Sequence, residues 1–293
     1  MSRSGVLGGA GVALVWAALA FAQAQREGND RFFFVQMADP QFGMFTKDRD
    51  FVQETANYEF AVANVNRLAP RFVIVCGDLV NKPGDAAQIA EYRRITARID
   101  PSIHVYHVAG NHDVGNEPTP ESLALYREQF GPDYYSFREG SVLGIVLNSS
   151  LIHSPQKAPA ELVKQTEWLA AELEKAKTSG ARHVVVFQHH PFFLERSEEP
   201  DQYFNIPLAR RKPLLEMFRK SGVRLIMAGH YHRNAQGRDE EIEMVTTGPV
   251  GMPLGGAKSG LRLVWVREDG LKHQYYEFGA VPNQGSEAGS SRQ

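Results

Sequence analysis

A layered α/β fold is what this sequence predicts, and three observations carry that reading. Short apolar runs ending at a glycine or a polar residue alternate with segments whose apolar residues recur at spacings of three and four. From Glu241 onward the helical spacing stops and only strand-like runs follow. The 293 residues are 43% hydrophobic and 23% charged, enough apolar material for a sizeable core.

Residues 1–24 differ from the rest. Arg3, an apolar run from Val6 to Phe21, and Ala22, Gln23 and Ala24 in an A-x-A arrangement read as a secretory signal peptide. The run is shorter than the roughly 20 residues that span a bilayer comfortably. The expectation is an exported protein, periplasmic or secreted, with no membrane span after cleavage; an uncleaved N-terminal anchor is the alternative. A polar linker, 25–31, leads to the first predicted strand, Phe32–Ala38, which stops at Asp39-Pro40-Gln41. A helix, Asp50–Leu68, precedes the strand Phe72–Cys76, which ends in Gly77-Asp78. Cys76 is the single cysteine, so no internal disulfide forms, and an apolar strand makes it a small buried hydrophobe. The helix Ala86–Ile99 is followed by the strand His104–Ala109, ending in Gly110-Asn111-His112-Asp113. Next come the helix Pro120–Phe130, the strand Val142–Asn148, and the helix Pro159–Lys177 with Leu162, Trp168, Leu169 and Leu173 on its apolar side. The strand His183–Gln188 ends in His189-His190-Pro191. The helix Lys212–Lys220 and the strand Val223–Ala228 lead to Gly229-His230-Tyr231-His232. Strands Ile242–Thr246, Leu261–Arg267 and Lys272–Phe278 complete the body, and residues 282–293, rich in Gly, Ser and Gln, read as a disordered tail.

Functional groups of α/β sheets collect past the carboxyl ends of strands. Here nearly every core strand ends in a side chain able to bind metal, and glycine precedes the polar group three times. Glycine lets side chains converge without a Cβ in the way. Carboxylates, amides and imidazoles make a mixed nitrogen and oxygen set suited to Mn, Fe or Zn. Net charge is −2 with no basic stripe, so no nucleic-acid partner is expected. The segment 192–211, with Glu195, Glu198, Glu199, Asp201, Tyr203 and Phe204, is either a pocket-shaping loop or a solvated one. Arg210, Arg211 and Arg233 could meet phosphate, and Arg233, next to His232, is the best placed. The Gly/Pro-rich stretch 246–260 reads as a flexible loop, and His104, His107, His153, His183 and His273 as structural or surface residues.

In this order the five strand-end motifs resemble the calcineurin-like metallophosphoesterase superfamily over roughly residues 32–278, with Asp-x-Gln where Asp-x-His is usual. The resemblance implies a single domain, 32–281, folded as a four-layer αββα sandwich of two mixed β-sheets. It implies two divalent or trivalent transition-metal ions (Mn, Fe or Zn). Asp39, Gln41, Asp78 and His232 would serve one; Asp78, Asn111, His189 and His230 would serve the other; His190 would stand outside. His112 would be catalytic, binding phosphate or protonating the leaving oxygen, with Asp113 orienting it, and Asn111, His112 and Arg233 would touch the phosphate-ester substrate. Two cations roughly 3.5–4 Å apart would screen the ester's charge, deprotonate a water and hold the ester in line. The implied activity is hydrolysis of phosphomonoesters, phosphoserine and phosphothreonine among them, by metal-activated hydroxide. A phosphodiesterase acting on cyclic nucleotides or glycerophosphodiesters fits the same motifs. Gln41 motivates a third reading, a non-catalytic binding module with an impaired first metal site.

Overall fold

The computed structural model describes residues 31–285. The expected signal peptide, nearly all of the expected linker and the expected tail beyond Gly285 lie outside the described residues. The strands are β1 (Phe32–Met37), β2 (Phe72–Cys76), β3 (His104–Val108), β4 (Tyr135–Glu139), β5 (Val142–Val146), β6 (His183–Phe187), β7 (Leu225–Ala228), β8 (Ala235–Asp239), β9 (Ile242–Thr246), β10 (Gly260–Val266) and β11 (Leu271–Glu277). The helices are α1 (Val52–Leu68), α2 (Ala86–Thr96), α3 (Asn111–Val114), α4 (Pro120–Phe130), α5 (Ser149–His153), α6 (Pro159–Ala176) and α7 (Leu208–Lys220).

Two sheets form, ordered β11-β10-β1-β2-β3 and β4-β5-β6-β7-β9-β8. The central strands β1, β2 and β3 are parallel, as are β5, β6, β7 and β9; the outer partners run antiparallel. Strands covered on both faces read as near-continuous apolar runs, and β1 shows this at every position but Gln36. Phe32, Phe34 and Ala38 face the other sheet; Phe34 stacks on Phe72 of the neighbouring β2 at 4.4 Å between ring centroids and meets Phe187 of the other sheet edge-on at 5.9 Å. Phe33, Val35 and Met37 face the layer of α1, α2 and α4. On the second sheet Val184, Val186 and Ile226 pack against α6 and α7, while Val185, Phe187 and Met227 fill the space between the sheets. The result is the expected αββα sandwich.

One polar residue interrupts the inter-sheet core. Gln36 is fully buried, donates to the Cys76 sulfur at 3.2 Å and to the Ala228 carbonyl at 3.1 Å, and accepts from Thr247 Oγ1 at 2.6 Å. It thereby ties the end of β2 in one sheet to the end of β7 in the other, the two ends that lead into Asp78 and His230. Cys76 is buried as expected, and burial raises its thiol to about 12.

The structure adds elements the sequence hid. Strands β4 and β8 are polar edge strands, closed onto β5 and β9 by two-residue turns at Gly140 (φ 54°) and Glu240 (φ 52°). Helix α7 starts at Leu208, four residues before the expected Lys212, and carries Pro213 inside it. The segment 246–260 is tied down, with Val250 N donating to Ala38 O at 2.8 Å and Gly251 N to Asp39 O at 3.0 Å. Within the expected tail, Pro282 and Gly285 lie on the body, their carbonyls accepting from Arg67 and Trp265. Among the described residues no helix is long and apolar enough to cross a membrane.

His107 on β3 makes an acid-stability prediction. Its Nε2 is sealed from solvent without a partner, and burial lowers its pKa from 6.5 to about 4. The folded state thus binds fewer protons than the unfolded state between those values. Stability is fully present above pH 6.5 and lost as pH falls toward 4, by about 3 kcal/mol at 1.36 kcal/mol per unit. His107→Phe, placed beside Tyr92 and Phe130, should flatten the decline in unfolding free energy between pH 7 and pH 4 by that order. Urea melts with the same decline in both proteins would contradict it.

Candidate metal centre

The carboxyl ends of β1, β2, β6 and β7 and the segment after β3 meet at one edge of the sandwich. Asp39 N donates to Gly77 O at 3.1 Å, Gln41 N to Asp78 O at 2.8 Å, and Gly229 N to His189 O at 3.0 Å, stitching the strand-end turns together. The price is backbone strain. Among the described residues nine non-glycine residues have positive φ, and five of them are Asp39, Gln41, Asp78, His230 and His232. Such conformations cost about 1–3 kcal/mol each and persist where the surroundings impose them, characteristically at functional sites.

The three glycines are required by close approach. A Cβ at Gly77 would lie 2.4 Å from His189 Nδ1, one at Gly110 2.1 Å from both Asp78 N and Oδ1, and one at Gly229 2.7 Å from Asp39 Oδ2.

Two groups of ligand atoms result: Asp39, Asp78 and His232, and Asp78, His189 and His230. Asp78 belongs to both. All five side chains are buried. His189 Nε2 lies 3.3 Å from Asp78 Oδ2, 3.0 Å from Asn111 Oδ1 and 3.1 Å from His230 Nδ1. His232 Nε2 lies 3.7 Å from Asp39 Oδ1. Each imidazole has its other nitrogen occupied by a backbone carbonyl: His189 Nδ1 by Cys76 O at 3.0 Å, His232 Nδ1 by Met252 O at 2.5 Å, and His230 Nε2 by Tyr203 O at 3.3 Å. That arrangement holds each ring by its outer nitrogen and turns the other nitrogen inward, the support that metal-ligating histidines characteristically have. Gln41 is buried, donates through Nε2 to Asn81 Oδ1 at 3.1 Å, and leaves Oε1 without a partner. An orphaned oxygen beside inward-facing carboxylates and imidazoles is a donor set that fits cations.

The electrostatics agree. Burial lifts the Asp39 carboxyl to about 6 despite His232 and His189 nearby. Burial also pushes Asp78 upward, but the charges of His189 and His112 outweigh it and hold that carboxyl well below the usual range. For His189, burial opposes the charged ring, and Asp78 outweighs it, giving about 9. The buried charge is unevenly compensated, and cations at the two groups would balance it.

His112 Nδ1 donates to Asn81 O at 2.7 Å and its backbone N–H to Asp78 Oδ1 at 2.8 Å. Its ring is partly exposed, unlike the five ligand candidates. Asp113 does not orient that ring as expected. Its Oδ1 accepts from Leu79 N at 2.9 Å and Val80 N at 3.2 Å, and its Oδ2 from Gly110 N at 2.8 Å. As the third residue of α3 it reaches back to cap that helix, and so holds the turn carrying Asn111 and His112. His190 belongs to neither group: it is buried behind them, its ring 4.2 Å from that of His230 and 5.1 Å from that of His189, with Ser149 Oγ at 3.2 Å and the His153 ring stacked at 4.9 Å. Arg211 is removed from any role with phosphate: it is fully buried and donates to the carbonyls of Phe192, Ser197, Ile206 and Glu199. Arg210 donates to His153 O. Arg233 has a buried Nε with no partner and lies over the Tyr231 ring at 4.2 Å. Tyr203 went unassigned from sequence because its contribution to His230 is a backbone carbonyl, which no residue type announces.

Comparison with known proteins places these features. The family model described as calcineurin-like phosphoesterase matches residues 34–234. Serine/threonine-protein phosphatase CPPED1 of Bos taurus is 38% identical over 281 residues, covering 91% of this chain and 90% of that one. The human protein of that name is 37% identical over 282 residues, with the same two shares. Among solved structures, a dimetal phosphatase from Danio rerio shares the fold with a TM-score of 0.62 at 17% identity, over 84% of this chain and 96% of that chain.

Proposed function

This chain belongs to the calcineurin-like phosphoesterase family, and on that premise we propose that it is a phosphomonoesterase acting on phosphoserine- or phosphothreonine-type esters through a binuclear metal centre. The observation that carries the reading is the pair of buried ligand groups sharing Asp78. The name of its relatives, serine/threonine-protein phosphatase, supports the substrate class.

Asp39, Gln41, Asp78 and His232 would hold one ion, and Asp78, Asn111, His189 and His230 the other. When bound, the ions neutralise the ester's charge and make a water nucleophilic near neutral pH. Asp78 supplies the shared negative charge that offsets the repulsion between two cations. Because Nδ1 of His112 is committed to Asn81 O, Nε2 is the nitrogen left to carry a proton to the leaving oxygen. Asp113 holds the turn that presents His112. Arg233, next to His232, would offer its terminal N–H groups to a phosphate oxygen.

Turnover of mono- and bis-nitrophenyl phosphate tests the substrate class: monoester hydrolysis should dominate and disappear in chelator. A preference for the diester would overturn the monoesterase part, and no turnover with any added metal would overturn the whole.

Gln41 carries its own prediction. A neutral amide oxygen is a poorer donor than imidazole for these ions. Gln41→His should tighten the weaker of the two sites about 10-fold or more, on the scale of ligand-shell changes. Calorimetric titration of chelator-treated protein with Mn²⁺ reads this directly; identical isotherms would argue against Gln41 facing an ion.

A further inference from the structure

An amide offers an acceptor oxygen at one end and an NH2 donor at the other, and only the oxygen suits a cation. Gln41 could therefore serve the first ligand group or oppose it, and the side chains behind it decide which. Gln88 Oε1 accepts from the backbone N–H groups of Asn81 and Lys82, both at 3.0 Å. Two donors claim that oxygen, so the Gln88 NH2 points the other way, where it donates to Asp48 Oδ1 at 2.8 Å. An ionised carboxylate only accepts. The Asn81 side chain, which also meets Asp48 Oδ1 at 2.8 Å, must meet it through Nδ2. Asn81 Oδ1 is left to face Gln41, and Gln41 can answer only with Nε2, at 3.1 Å. Gln41 Oε1 is thereby turned away from Asn81. It stays buried without a partner, on a residue whose backbone N–H is bonded to Asp78 O at 2.8 Å.

The backbone around this chain of amides is fixed. Asn81 N also lies 3.1 Å from Phe42 O, and Asp48 N donates to Gly43 O at 2.8 Å. A Cβ at Gly43 would lie 2.7 Å from both Asp48 Oδ1 and Gln88 Nε2, so glycine is what lets them meet. We propose that Asp48, an exposed residue of the loop after β1, is a positioning residue for the metal centre. Acting through Asn81, it sets the Gln41 amide so that oxygen, not NH2, is offered to the ion that Asp39, Asp78 and His232 would hold. This rests on the binuclear reading above and adds to it a residue that touches neither ion nor substrate. Without the Asp48 carboxylate, Asn81 and Gln41 can turn over together, and an NH2 group in that place repels a cation.

The measurement is calorimetric titration of chelator-treated protein with Mn²⁺, which involves no turnover. Asp48→Gly removes the acceptor and keeps the turn, because Asp48 has φ of 64°, a region glycine enters freely. It should weaken one of the two sites about 10-fold, the lower end of what loss of a supporting partner does to a metal site. Asp48→Asn loses the charge but keeps an oxygen for both amides. Its affinity should stay within about twofold of wild type, the scale of one exposed charge, which separates orientation from long-range attraction. In a Gln41→Glu background the effect of Asp48→Gly should vanish, since a carboxylate has oxygen at either end and needs no setting. Wild-type affinity in Asp48→Gly, equal weakening in Asp48→Asn, or equal weakening by Asp48→Gly in both backgrounds would overturn the role of Asp48 alone. Wild-type protein that binds no Mn²⁺ would overturn the binuclear reading and this role together.

Discussion

Asp78→Asn should lower phosphomonoester turnover by more than about 100-fold, beyond the loss that follows removal of a supporting partner of a metal ligand. Asp78 is the residue common to both ligand groups. Its Oδ2 lies 3.3 Å from His189 Nε2, and its Oδ1 receives the His112 backbone N–H at 2.8 Å. An amide removes the charge that allows two cations to sit close together. It also replaces one acceptor with a donor, which must face either His112 N–H or the ligand groups. The fold should survive, because Asp78 has φ of 51° and asparagine tolerates that region as well as aspartate does. The expected result is a folded protein with reduced metal content and little turnover. A variant that keeps two ions and wild-type kcat would remove Asp78 from the centre.

The second large effect concerns a residue with no side chain. Gly110→Ala should destabilise the protein by about 3 kcal/mol or more, at or above the upper end of ordinary overpacking, and abolish turnover. Gly110 has φ of −100°, which alanine adopts freely, so the penalty is purely steric. The new Cβ would sit 2.1 Å from Asp78 N and Oδ1. Neither side can yield cheaply. Asp78 O holds Gln41 N, and Gly110 N is bound to Asp113 Oδ2. Relief of the clash must therefore displace Asp78 or the turn bearing Asn111 and His112. Urea midpoints and turnover measured on the same preparation test this; a wild-type midpoint with wild-type turnover would show that the turn has room the structure denies it.

These two residues also show what was readable in advance. Asp78 and Gly110 were visible because chemistry and backbone geometry are written in residue type at a strand end, and the alternation of apolar runs placed those ends in the fold. All of β1 but Gln36 is apolar, the mark of a strand covered on both sides. Strands β4 and β8 were not readable, since edge strands lack that apolar signature and their pairing is set by turns of two residues. The roles of Asp113 and Arg211 were misread for a shared reason: each is a charged side chain whose partners are backbone groups, and backbone groups carry no sequence signal. The carbonyls of Cys76, Met252 and Tyr203 that orient the three imidazoles were invisible on the same ground.

We propose that two metal ions, held through a shared Asp78, give this chain its phosphomonoesterase activity. Its most direct test is metal analysis of protein purified without chelator, joined to nitrophenyl phosphate turnover as chelator-treated protein is titrated with Mn²⁺. Two ions per chain are expected, with turnover absent from the stripped protein and restored as the sites fill. Full turnover in stripped protein, or no turnover with both sites filled, would contradict it.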